Sequence, residues 1–227
     1  MITTNLSRKA AAAAAVTAAV LFSGSALLQP QLGGDASARL TAIDAAGLRS
    51  GLSAGAFTLA QLPFIVTVLG LGHLLRDRSS RLGSIGTALA VLGAFGHAVF
   101  GGVSMTYVVM AADHAHRSTY AALVTDVEST PIMIFALLGL VGTVLGLLLL
   151  SIGLFRGRVG PRWLGPVLWA FLVIEFVGSS LSHYASYVSR VLVAVALLAM
   201  ARVLLDQQDE PEAVSEHSSV GVAAGFR

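Results

Sequence analysis

The chain alternates between long uncharged apolar intervals and short charged connections, on a length scale that matches a lipid bilayer. Uncharged intervals run between Lys9 and Asp35, Arg49 and Arg76, Arg81 and Asp113, and Glu128 and Arg156. A fifth, from Arg162 to Arg190, is interrupted only by Glu175, and a shorter one continues past Arg190 to Arg202 and Leu205. A helix needs about 20 apolar residues to cross a bilayer, and a charge at its middle costs at least ~2.5 kcal/mol on insertion scales. The pattern therefore predicts an all-α fold: a polytopic transmembrane helix bundle of six spans near 10–29, 52–75, 84–111, 131–155, 163–185 and 187–205.

The connections differ in charge, and this predicts an orientation. Arg8 and Lys9, then Arg76, Arg78 and Arg81, then Arg156, Arg158 and Arg162 flank alternate connections. The others carry Asp35, Asp44, Asp113, Asp126 and Glu128. Basic loops stay in the cytoplasm, so both ends are expected there: residues 1–9 as a short N-terminal segment and 206–227 as a disordered acidic tail, on either side of a membrane domain at 10–205. Trp163 falls at the expected inner boundary and Tyr107, Tyr184 and Tyr187 at the outer one, where aromatic belts form. The connections 30–51 and 113–130 are external, the second with a short amphipathic helix around Tyr120 to Val127.

The first span has a rival reading. Arg8 and Lys9, an alanine-rich core and Ala36-Ser37-Ala38 resemble the three parts of a secretory signal peptide. A retained anchor is favoured, because the apolar stretch reaches Leu28 and the small-residue site lies well beyond it.

Composition sharpens this picture. The 227 residues are 56% hydrophobic and 11% charged, against about 25% charged in soluble domains. The absence of cysteine excludes disulfides, thiolate metal sites and cysteine nucleophiles. A formal charge of +2, spread in small groups between apolar stretches, gives no surface for nucleic acid. With Lys9 the lone lysine and alanine, glycine, leucine and valine abundant, a GC-rich bacterial source and a multi-pass protein of the cell membrane are expected.

Two features bear on packing. In the third span Gly86, Ala90, Ala94, Ala98 and Gly102 recur every four residues, beside a row of Leu89, Gly93, His97 and Gly101. The fourth span carries Gly142 and Gly146, with Gly139 and Gly153 nearby. Small residues at this spacing let membrane helices approach closely.

Candidate chemistry is sparse. Glu175 is the one acidic residue deep in a span, and an ionisable group there is by default a functional-site hypothesis. Ser179, Ser182 and His183 follow it at helical spacings. Glu175 and His97 each lie thirteen residues beyond an inner boundary (Arg162 and Ser84), roughly 20 Å deep, and Gln61 falls at a similar depth. Glu175 and His97 are thus the candidate catalytic pair, with Gln61, Ser179, Ser182 and Arg190 as candidate substrate-binding residues. A structural alternative pairs Glu175 with His97 or Arg190 to tie helices together.

No cofactor or metal is expected. The histidines lie at different depths, unsuited to a single haem, and the external Asp113, His114 and His116 read as a solvated loop. There is no Walker loop, dinucleotide fingerprint, H-E-x-x-H or nucleophile elbow.

The order of elements, the hairpin closed by Arg76 to Arg81, and the junction Gly153-Leu154-Phe155-Arg156 to Pro161-Arg162-Trp163-Leu164-Gly165 resemble a set of uncharacterised bacterial six-helix membrane proteins, a domain of unknown function. The resemblance implies the fold from about Ala10 to Leu205 and brings no catalytic residues. Three functional classes stay open. The leading expectation is a protein that binds or moves a small hydrophobic or cationic molecule, or serves as an accessory subunit. The others are a membrane enzyme of cyclase or isomerase type acting on a lipid or isoprenoid, with Glu175 as general acid, and a structural bundle that docks a protein partner. The lipid bilayer is the expected partner in every case, and homo-oligomers remain open.

Overall fold

A computed structural model describes residues 2–178 and 183–206. Every regular element among them is helical. They are α1 (Ile2–Leu28), α2 (Ala36–Ala46), α3 (Leu48–Leu75), α4 (Ser80–Ala112), α5 (Arg117–Glu128), α6 (Met133–Gly157), α7 (Leu164–Val173) and α8 (His183–Asp206), with a 3₁₀ turn at His114–His116 and a π-helical turn at Ile174–Gly178. Five segments are long and apolar enough to cross a membrane: Arg8–Leu28, Leu48–Leu75, Ser80–Ala112, Met133–Gly157 and Tyr187–Asp206. The sixth apolar helical stretch, Leu164–Gly178, rises roughly 22 Å, short of a ~30 Å hydrocarbon core. Of the expected tail at 206–227, Asp206 is the last residue of α8 and the rest lies outside the described residues.

The small residues of α4 and α6 form the tightest seam. A Cβ on Gly142 would lie 2.7 Å from the Gly93 backbone nitrogen, and one on Gly86 2.9 Å from that of Leu150. Gly146 meets the backbone of Ala90, and Gly96 that of Phe135 and Gly139. The two backbones therefore touch, as only glycine at these positions permits. The every-fourth stripe of α4 is only partly used. Gly86, Ala90 and Ala94 are buried, but nothing lies within 4 Å of the Cβ position at Gly102, because the contact row drifts to Gly93 and Gly96 as the helices cross.

Alanine does similar work in α1, whose Ala11, Ala12, Ala15, Ala18 and Ala19 are buried in the main core with Val68, Leu71, Met200 and Leu204. The helix lies against α3 and α8. Between α6 and α7, the Trp169 indole N–H donates to the Ser151 hydroxyl at 2.7 Å.

The turns define the two ends. Gly157 packs on Arg78, Gly160 on Val203, and Gly70 on Ala11 and Leu204. The basic connections 76–79 and 158–163, the start of α1 and the end of α8 therefore share one end. Helix α7 starts at that end and α8 finishes there.

The opposite end carries a cap that the sequence reading left as connection. Asp35 starts α2 by accepting a hydrogen bond from the Ala38 N–H at 2.8 Å, a typical N-cap. Ala36, Leu40 and Ile43, spaced along one face of α2, bury against Ala111 and Val124 and form a second small core. Helix α5 covers the stretch expected to be amphipathic and buries Val124.

Candidate functional site

Between the cap and the middle of the bundle lie two adjoining chambers of about 400 and 320 Å³. The cap chamber is roofed by Ala36, Leu40 and Ile43 of α2 and Val124 and Glu128 of α5, over Phe57, Phe100 and Tyr107. The mid-bundle chamber is lined by Phe22, Phe57, Phe64, Phe171 and Phe176, with Leu147 and Val193. Ser25, Gln29, Phe57, His97 and Glu175 belong to both, so His97 and Glu175 stand at the waist.

Each polar group at the waist has a local reason for its place. His97, half-buried on α4, lies against Gly139 of α6, where a Cβ would come within 2.8 Å of the ring. Its other side meets Phe57 edge to face, with centroids 5.6 Å apart. Its Nε2 atom is buried and has no hydrogen-bond partner among the described residues. An unsatisfied buried hydrogen-bonding atom costs about 1–3 kcal/mol, and the residue lines both chambers.

Glu175 sits in the π-helical turn that follows α7. Such turns insert an extra residue, re-aim side chains and are frequent at functional sites. Its Oε2 accepts a hydrogen bond from the Ser189 hydroxyl of α8.

Gln61 is buried on α3 and donates to the Phe57 carbonyl one turn earlier, at 3.1 Å. Two residues later, Pro63 lies inside the same helix and supplies no N–H for the carbonyl of Leu59. Arg190 of α8 lines the mid-bundle chamber, with its guanidinium 5.4 Å from the centre of the Tyr187 ring.

The expected residues Gln61, His97, Glu175 and Arg190 thus line one chamber. Ser179 and Ser182 fall outside the described residues, and of His183 only the backbone is described. The five-phenylalanine wall escaped the sequence reading. A partial signal existed: Phe57, Gln61 and Phe64, at i, i+4 and i+7, share one face of α3.

The cap adds ion pairs that sequence spacing does not reveal. The Arg39 guanidinium donates to both carboxylate oxygens of Glu128, at 2.5 and 3.0 Å. Asp44 accepts from Arg117 at 2.7 Å and pairs with His114 at 2.9 Å. His116 pairs instead with Asp113, at 2.9 Å, so the two loop histidines serve different carboxylates. Hydrogen bonds from Arg117 and His114 hold the Asp44 carboxyl below its ordinary range, His116 does so for Asp113, and Arg39 for Glu128. Among the described residues, no group of three or more histidine, aspartate or glutamate side chains is placed to hold a metal ion.

No family model matches the chain, nor does any curated protein or solved structure. Apolar, aromatic walls around a few convergent polar groups are the usual composition of a small-molecule site, and the volumes lie at the lower end of the usual 300–1,000 Å³.

Proposed function

We propose that this chain is a multi-pass protein of a bacterial cell membrane that binds a small hydrophobic molecule with a cationic or hydrogen-bonding head. The observation that carries the reading is the pair His97 and Glu175. They project from different elements into the waist of a phenylalanine-walled cavity. The apolar body would fill the mid-bundle chamber. The head would meet the open hydrogen-bonding position of His97 and the Glu175 carboxylate, with the aromatic faces adding cation–π attraction for a charged head. Arg190, with its guanidinium over the Tyr187 ring, lines the same chamber.

In this reading Leu164–Gly178 belongs to a sixth crossing, supported by the start of α7 and the finish of α8 at the same basic end. The basic end faces the cytoplasm by the positive-inside rule, which puts both ends of the bundle chain inside. Burial of the α1 alanines in the core, together with Phe22 and Ser25 in the cavity wall, supports a retained first helix.

A photoreactive alkylamine dissolved in the bilayer tests the binding site. Labelling should concentrate on peptides carrying Phe57, His97 and Phe171–Phe176 and should be displaced by excess unlabelled amine. Labelling spread evenly over lipid-facing leucines such as Leu59, Leu62 and Leu69 would argue against a site.

A further inference from the structure

We infer that α2 is a hinged lid on the cap chamber, latched to α5 by two ion pairs of opposite sense, and that it controls entry to the cavity from the water on that side. The inference rests on reading the two chambers as a ligand cavity, but its test needs no ligand, so the two can fail separately.

The first support is placement. The underside of α2, formed by Ala36, Leu40 and Ile43, is the chamber's roof, and the polar residues Ser53 and Ser104 stand on its walls. Moving α2 away would join the chamber to the aqueous side without disturbing the α4–α6 seam.

The second is how α2 is joined to the chain. It is flanked by Gly34 at φ 80° and Gly47 at φ 55°, ψ −130°, backbone conformations that essentially only glycine adopts without strain. A short helix bounded on both sides by such residues can rotate as a unit, because large dihedral changes are absorbed at its two ends.

The third is the latch. Arg39 on α2 reaches Glu128 on α5, and Arg117 on α5 reaches Asp44 on α2. The charges are exchanged between the helices, so a shift of one along the other breaks both pairs. All four side chains are about a quarter to a third exposed, which keeps each pair weak. A latch of this strength holds the lid closed most of the time and still lets it open.

The cysteine-free chain makes the test direct. Ser104→Cys places a single thiol on the chamber wall, and its labelling rate with a water-soluble methanethiosulfonate reads access. Arg39→Ala or Glu128→Ala should speed labelling roughly two- to fivefold, the effect of losing one partly exposed pair. The charge-exchanged Arg39→Glu/Glu128→Arg protein should return towards the slow rate, which separates the latch from general loosening. A thiol on the exposed end of α5, Ser118→Cys, should label at one rate in every background. Equal Ser104→Cys rates in all backgrounds, or no recovery on charge exchange, would overturn the lid.

Discussion

The Ser189 hydroxyl of α8 donates a hydrogen bond to Oε2 of Glu175, in the π-helical turn after α7. This contact ties an acidic residue of the mid-bundle chamber to the helix that finishes at the basic end. Ser189 is fully buried, so removing its hydroxyl leaves the carboxylate short of a donor. Ser189→Ala should lower stability by about 1–3 kcal/mol, measured by thermal unfolding in detergent, and should weaken ligand binding. A neutral effect on both would mean that the hydroxyl does not orient Glu175.

The α4–α6 seam makes a contrasting pair of predictions. Gly142→Ala should cost about 1–3 kcal/mol through overpacking, since its Cβ would lie 2.7 Å from the Gly93 backbone. Gly102→Ala, in the same sequence stripe but with nothing within 4 Å, should be neutral or slightly stabilising. Detergent melting curves of the two variants distinguish a contact seam from a mere compositional stripe.

At His97, stability and function should separate. The buried Nε2 has no partner among the described residues, so His97→Leu removes a desolvation cost of about 1–3 kcal/mol and leaves an apolar side chain against Gly139. The variant should melt no lower than the parent while losing ligand affinity. A large loss of stability would assign the imidazole a structural role.

The cap should open in acid. Asp44, Asp113 and Glu128 have carboxyl pKa values below their ordinary 3.8, 3.8 and 4.5. A depressed carboxylate stabilises the folded state fully above its ordinary value and loses that contribution as pH falls through its lowered one. The facing groups are Arg39, Arg117, His114, His116 and Tyr120, the last donating to Asp113 at 3.3 Å. Hydrogen exchange of α2 amides, corrected for intrinsic rates, should therefore show protection at neutral pH that is lost only below about pH 4. Loss of protection already near neutrality would place control elsewhere.

Orientation predicts opposite accessibility for two single thiols. Ser79→Cys lies in the basic turn beside Gly157, and Ser118→Cys in the cap. In intact cells, an impermeant reagent should modify Ser118→Cys and spare Ser79→Cys. The reverse pattern would invert the topology.

Much of the bundle was legible because charges cannot sit unpaired in a bilayer. The predicted 52–75, 84–111 and 131–155 fall almost wholly within the helices Leu48–Leu75, Ser80–Ala112 and Met133–Gly157. Helical depth, counted at 1.5 Å per residue, suggested a similar level for Gln61, His97 and Glu175, and all three line the mid-bundle chamber. The α2 half of the cap was missed although Asp35 offered an N-cap signal, because α2 is too short and too alanine-rich to stand out beside the apolar spans. The Arg39–Glu128 pair joins residues 89 apart in sequence, and such pairs follow only from the tertiary fold. The π-turn has no distinctive composition, so nothing in the residues around Glu175 announced it.

The most direct test of a ligand cavity centred on His97 and Glu175 is equilibrium binding of tetraphenylphosphonium to the protein in lipid nanodiscs, compared between the parent and Glu175→Gln. Saturable binding to the parent is expected, weakened about tenfold or more in the variant, the equivalent of ~1.4 kcal/mol. Saturable binding of equal affinity in both would remove Glu175 from recognition, and partition indistinguishable from protein-free nanodiscs would contradict the site itself.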